Sequence, residues 1–250
     1  MSEADLPLRG ETAIVTGAGR GIGRAVALVF AGAGATTVLA SRTIDDLEKT
    51  AKEIVGAGGR ALAIPTDVTS KESVEALVAK AEAETGRVDI VVNNAGVFIW
   101  KALANLEEPE WDRILDTNLK ASYLLIRAAL PALTRAPHGR IVNVASIHGT
   151  VGEANVVAHC AAKFGLIGMT KALALELRGA GITVNAVSPG SVENKTRDMS
   201  RPKRESPLRE KLAAHDVAEA ALFLASPAAR AISGAVLDVW GGTHVSIRGG

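Results

Sequence analysis

The sequence is short of tyrosine, cysteine and aromatic bulk: 250 residues hold one Tyr, one Cys, three Trp and four Phe. The lone cysteine, Cys160, excludes an internal disulfide and a cysteine-rich zinc site, and it suits a reducing compartment. Neither sign of charge is in excess. With 28 Lys and Arg against 27 Asp and Glu, no global field draws in nucleic acid or an anionic membrane. No apolar run approaches the ~20 residues that cross a bilayer. The start, Met-Ser-Glu-Ala-Asp, lacks the basic and apolar stretches of a secretion signal. These absences predict a soluble, cytoplasmic protein with no nucleic-acid or membrane partner.

What is present is aliphatic mass. Hydrophobic residues make up 48% of the chain, enough for one substantial core in a single domain over residues 1–250. Short β-branched runs fall at 12–16, 36–40, 61–64, 88–93, 140–145, 182–187 and 235–239, with helical stretches between them. Seven strands separated by helices imply βαβ crossovers and a parallel sheet covered on both faces. Helices are expected from Gly21 to about Ala33, from Asp45 to Val55 and from Lys71 to Ala83, with Ser70 as an N-cap. Residues 191–211 depart from the pattern: they are polar, hold Pro202 and Pro207, and are rich in Lys and Arg. Following the sixth strand at the carboxyl edge of the sheet, they read as a substrate lid or as a solvated surface loop.

Thr16-Gly-Ala-Gly-Arg-Gly-Ile-Gly23 lies between the first strand and the first helix. Glycines there let the backbone approach a pyrophosphate, whose charge meets the helix amino terminus and its free N–H groups. The flanking strand and helix supply the context that such a turn requires. The spacing resembles the short-chain dehydrogenase/reductase family, of the 3-oxoacyl-carrier-protein reductase kind, and the resemblance runs in order along nearly the whole chain. Asp67-Val68 follows the third strand, Asn93-Asn-Ala-Gly96 closes the fourth, and Asn118 lies in the next long helix. Ser146 follows the fifth strand, Lys163 lies in the helix after it, and Pro189-Gly190 follows the sixth strand.

That resemblance implies a doubly wound Rossmann-type α/β fold and a nicotinamide cofactor. The cofactor would be held by Gly17, Gly19, Arg20, Gly21, Ile22, Gly23, Asp67, Val68, Asn94, Ala95, Gly96, Lys163, Pro189 and Gly190. Its phosphate state can be argued from charge. An acidic residue after the second strand would bind the ribose hydroxyls of NAD; this chain instead has Ser41 and Arg42, with Arg20 nearby in the glycine turn. Two guanidiniums and a hydroxyl suit the 2′-phosphate of NADP, unless both arginines are ordinary surface residues.

In the family, catalysis on a carbonyl/alcohol pair uses Asn, Ser, Tyr and Lys. Asn118, Ser146 and Lys163 match by position, but the tyrosine position, four residues before the lysine, holds His159. The only tyrosine, Tyr123, falls where the family packs an aromatic, so it reads as core. A phenol has an ordinary pKa near 10 and an imidazole near 6.5. The neighbouring Lys163 ammonium favours a phenolate but opposes an imidazolium, so His159 is expected to be mostly neutral and a better base than acid. Its ring also ends roughly 2 Å short of a phenol oxygen. Three readings stay open: an oxidoreductase using His159, an ordinary reductase impaired by the replacement, and a scaffold turned to non-redox lyase, hydrolase or dinucleotide-binding work. Ser146, His148 and His159 could converge as a nucleophilic pair, although no orienting acid is evident.

Val97, Ile99, Trp100, His148, Val151, Gly152 and Glu153 are expected to line the substrate pocket. His138, His215 and His244 are dispersed, which argues against a metal site. The segment Ser233 to Gly242 resembles the family's last strand, which packs between subunits, so the resemblance implies a homotetramer or homodimer.

Overall fold

The computed structural model describes residues 6–192 and 212–241. Most of the expected lid, with its basic residues, lies outside them, as does His244. The strands are β1 (Thr12–Thr16), β2 (Thr36–Ser41), β3 (Arg60–Pro65), β4 (Ile90–Asn93), β5 (Arg140–Val144), β6 (Thr183–Pro189) and β7 (Val236–Val239). The helices are α1 (Gly21–Gly32), α2 (Ile44–Gly56), α3 (Lys71–Thr85), α4 (Glu108–Leu115), α5 (Ala121–Arg135), α6 (Val157–Glu176) and α7 (Ala214–Ala225). All seven strands pair in parallel, in the order β3-β2-β1-β4-β5-β6-β7. The order reverses direction between β1 and β4, and a ligand crevice opens at such a reversal.

Alternation along β1 shows why the sheet is buried twice. Ala13 and Val15 face a core built with Val26, Ala27 and Phe30 of α1 and Val217 and Ala221 of α7, whereas Ile14 faces Leu77, Leu125 and Leu133 of α3 and α5. Ser70 caps α3 as its residue type predicts, accepting from Ser73 N at 3.2 Å, and Gly86 ends that helix with φ +76°. β4 starts at Ile90, two residues later than the apolar pattern suggests. Asp89 turns its carboxylate onto Thr12 N at 2.8 Å and takes two bonds from Arg87. Beside it, buried Arg140 pairs with Glu11 at 2.7 Å. Burial nonetheless raises the Glu11 carboxyl above its usual range, outweighing Arg140.

Tyr123 corrects the expectation of a core aromatic. It is 45% exposed, because Ser122, Leu125 and Ile126 form the inward face of α5 and position 123 falls on the opposite side. Its hydroxyl accepts a hydrogen bond from Arg127 at 2.7 Å, one turn along. Among the described residues no helix is long and apolar enough to cross a membrane.

Candidate active site

The turn after β1 is tied to the end of β4. Thr16 Oγ1 accepts from the backbone N of Asn94 and of Ala95, each at 3.0 Å, and Asn94 Nδ2 donates to Thr16 O at 2.8 Å. Gly17 has φ +68°, and a Cβ there would stand 2.8 Å from Asn94 Nδ2. A Cβ at Gly23 would overlap both Asn94 Nδ2 and Gly17 O, so this glycine is required by close approach. At Gly21 a Cβ would meet nothing within 4 Å, and no side chain caps the first turn of α1. The first N–H groups of α1 thus take no bond from the side chain of Arg20, the residue at the cap.

The residues expected at the adenosine end are Arg20, Ser41, Arg42, Asp67 and Val68. Ser41 closes β2, and Arg20 and Arg42 are exposed. Asp67 Oδ1 accepts from Thr69 N at 2.9 Å and Thr69 Oγ1 at 2.7 Å, and these bonds hold the carboxyl below its usual range. The Arg42 charge contributes in the same direction, which places its guanidinium near Asp67. Val68 is buried at the edge of this region, and Ile22 packs inward from α1. Pro189 ends β6 and Gly190 N bonds to Val239 O at 2.9 Å.

α6 carries His159 and Lys163 one turn apart, and both are buried. Lys163 Nζ donates to Val144 O at 2.7 Å, and burial lowers its pKa to about 8. Ser146 follows β5 and caps a short 3₁₀ turn, its Oγ accepting from His148 N at 3.2 Å. Asn118 lies in the helical stretch that follows β4, as expected, but not in regular α-helix. It sits in a π-helical segment, Asp116–Lys120, that joins α4 to α5. There its amide is clamped by one residue: Oδ1 accepts from Val97 N at 2.7 Å and Nδ2 donates to Val97 O at 2.8 Å. Asn118 Nδ2 also stands 3.2 Å from His159 Nδ1.

Several pocket residues take other roles than expected. Val97 holds Asn118, and with Ile99 it packs into a small core against Ile114 and Ala158. Phe98, which the residue pattern did not single out, brings its ring against His159, with centroids 4.8 Å apart and an edge-on arrangement. Trp100 stacks behind it at 6.4 Å. His148 is edge-on to His159 at 5.6 Å, and its Nε2 lies 2.5 Å from a Glu153 carboxylate oxygen. An acid therefore does orient an imidazole here, but it is His148 that it orients. No spacing rule pairs residues across the turn at 149–152, so this contact had no signal in the sequence. Val151 is half-buried, and its carbonyl is 4.0 Å from Cys160 Sγ. Among the described residues no three His, Cys, Asp or Glu gather as a metal would require.

Residues 11–205 match the family model described as short chain dehydrogenase. The chain belongs to the short-chain dehydrogenase/reductase family. It is an oxidoreductase, of a family that works with a nicotinamide dinucleotide. Among curated relatives, the 3-oxoacyl-(acyl-carrier-protein) reductase FabG of Escherichia coli is 40% identical over 242 residues, covering 94% of this chain and 98% of that protein. The nodulation protein G of Rhizobium sp. (strain N33) is 36% identical, covering 94% and 97%. A solved short-chain dehydrogenase/reductase from Burkholderia xenovorans superposes with a TM-score of 0.91 at 36% identity, covering 96% of this chain and 98% of that one. The turn, crevice and α6 pair occupy the end of the sheet where such a cofactor fits, and the uncapped first turn of α1 beside open space at Gly21 suits its pyrophosphate.

Proposed function

We propose that the protein is an NADP(H)-dependent oxidoreductase acting on a carbonyl/alcohol pair, with His159 standing where the family has its tyrosine. The observation that carries this reading is the gathering of Asn118, His148, His159 and Phe98 beside Ser146 and Lys163, at the crevice where the strand order reverses. Bound there, the dinucleotide supplies or takes up hydride. Gly17 to Gly23 would receive its pyrophosphate, Arg20, Ser41 and Arg42 its 2′-phosphate, and Asp67 and Val68 its adenine. Asn94, Ala95, Gly96, Pro189 and Gly190 flank the path toward the nicotinamide.

Ser146 Oγ accepts from His148 N, a bond that leaves the hydroxyl hydrogen to be donated to a substrate oxygen. Lys163 sits one turn from His159 and, with its pKa near 8, remains mainly an ammonium at neutral pH, suited to a ribose hydroxyl. His148 with Glu153, Phe98, Trp100 and Val151 would border the substrate. The names of the relatives make 3-oxoacyl thioesters the first compounds to try. The reading is tested by following nicotinamide absorbance with NADPH and a panel of 3-oxoacyl thioesters, ketones and alcohols. Substrate consumption without any absorbance change would defeat it in favour of lyase or hydrolase chemistry.

The exposed Tyr123 and Phe164, on α5 and α6, support assembly into the family's homotetramer or homodimer, which light scattering on the purified protein measures. The single cysteine supports a cytoplasmic location, to be checked by cell fractionation.

A further inference from the structure

We propose that Asn118 is a positioning residue that locks His159 in its neutral Nε2–H form, so that His159 offers a hydrogen bond in the active site but neither gives nor takes a proton. The Asn118 amide cannot turn. Val97 N–H can only donate and Val97 C=O can only accept. Asn118 must therefore aim Oδ1 at the first, at 2.7 Å, and Nδ2 at the second, at 2.8 Å. Reversing the amide would set donor against donor and acceptor against acceptor. The second hydrogen of Nδ2 is left to face His159 Nδ1 at 3.2 Å, in a site where Asn118 is 1% and His159 7% exposed.

A nitrogen that accepts from an amide N–H keeps its lone pair, so the ring proton resides on Nε2. Forming the imidazolium would put a proton on Nδ1 and leave two buried donors facing each other. Other neighbours oppose a positive ring as well: the Lys163 ammonium lies one turn along α6, and Phe98 closes one side with apolar surface. Among the described residues, His148 faces the ring and Glu153 lies behind it, its carboxylate engaged with His148 Nε2.

Neutrality alone would still allow His159 to act as a base. The lock removes that option too. To accept a proton at Nε2 the ring must first hold its own proton at Nδ1, which meets the same Asn118 N–H. A neutral imidazole is also a poorer acid than a phenol, so its Nε2–H stabilises a nearby oxyanion by hydrogen bonding. A neutral histidine can act as an electrophile in this way.

The oxyanion part of this inference rests on the proposed carbonyl chemistry, whereas the tautomer does not, and the experiment separates them. Long-range proton–nitrogen NMR spectra of the full-length, 15N-labelled protein are recorded from about pH 5 to 8, the range in which an ordinary histidine changes charge. His159→Gln identifies the His159 signals by their loss. The expected result is one bare nitrogen, Nδ1, and one protonated nitrogen, Nε2, with shifts constant throughout. A proton found on Nδ1, or a His159 titration centred near the ordinary value of about 6.5, overturns the proposal. In Asn118→Asp the carboxylate accepts from Nδ1, so both nitrogens should become protonated across most of the range, a change that simple loss of packing does not produce. If that variant does not fold, the titration of the unmodified protein decides alone. Turnover of NADPH with carbonyl compounds is measured on the same sample. Its absence would retire the carbonyl reading and leave the tautomer result standing.

Discussion

Replacing His159 by tyrosine tests the catalytic reading most directly. The side chain lengthens by roughly 2 Å, and it must do so in a box formed by Phe98 at 4.8 Å, His148 at 5.6 Å and the Asn118 amide at 3.2 Å. The phenol gains what the imidazole lacks, a proton that it can release. Lys163, with a pKa of about 8, is protonated by about ten to one at pH 7 and lies one turn away, so its charge draws the phenol down from its ordinary pKa near 10. A positioned general acid contributes roughly 10²–10⁴-fold, equivalent to about 3–5 kcal/mol of barrier at 1.36 kcal/mol per tenfold. His159→Tyr should therefore raise kcat/KM for NADPH-dependent reduction of a 3-oxoacyl thioester by two to four powers of ten. The assay is the fall in nicotinamide absorbance, with thermal melting run beside it to establish folding. A folded variant with unchanged or lower reductase activity would refute the idea that a missing acid limits the reaction, and would mark His159 as the residue that the native reaction needs.

Arg42→Ala should weaken NADPH binding roughly tenfold to hundredfold, the loss of one charge-assisted contact, while leaving NADH within about twofold; equal effects on the two in a fluorescence titration would defeat the 2′-phosphate assignment. Lys163→Met should abolish turnover yet stabilise the fold at pH 7. The folded pKa of about 8 lies below the ordinary 10.5, so the unfolded chain binds more protons between those values and the native protein gains stability as pH rises through them. The variant's advantage in urea unfolding, about 3 kcal/mol at pH 7 from that difference in pKa, should fade toward pH 11. Arg140→Leu leaves the Glu11 carboxylate buried without its cation and should cost about 3 kcal/mol or more. Because the Glu11 pKa is already raised in the fold, protonation relieves the loss, and the cost should be smaller at pH 5 than at pH 8.

The strands and the glycine turn were legible because short β-branched runs and a strand-turn-helix context depend on near neighbours in the chain. β1 has the bounds that its residues suggest, and Ser70 caps α3 because an N-cap needs only a hydroxyl three residues before an amide. Family membership follows from motifs of the same local kind. The contacts within the candidate site are of another kind. Asn118 and Val97 are 21 residues apart and Asn118 and His159 are 41 apart, and their bonds exist only once β4, the π segment and α6 have converged. Phe98 went unmarked among neighbours that were named, because whether a loop side chain faces a pocket or a small core is settled by packing. A buried chain of amides and a hydroxyl, Asn93 to Asn143 at 2.8 Å and Asn143 to Thr170 at 2.9 Å, was equally silent, since it spans three elements. Tyr123 misled because the family resemblance implies a packed aromatic there, whereas its angular position on α5 puts it outside.

A π turn accommodates one more residue than the α-helix it interrupts, and Asp116–Lys120 is such a turn. Seen as a matter of descent, the site then depends on chain length as well as on which amino acids occupy it. Deleting Leu119 or Lys120 would let α4 run on into α5 as regular helix and rotate residue 118 by about 100° relative to the α5 face, carrying the amide off Val97. Point substitutions can vary His159, Ser146 or Lys163 one at a time, but the placement of Asn118 is inherited as a count.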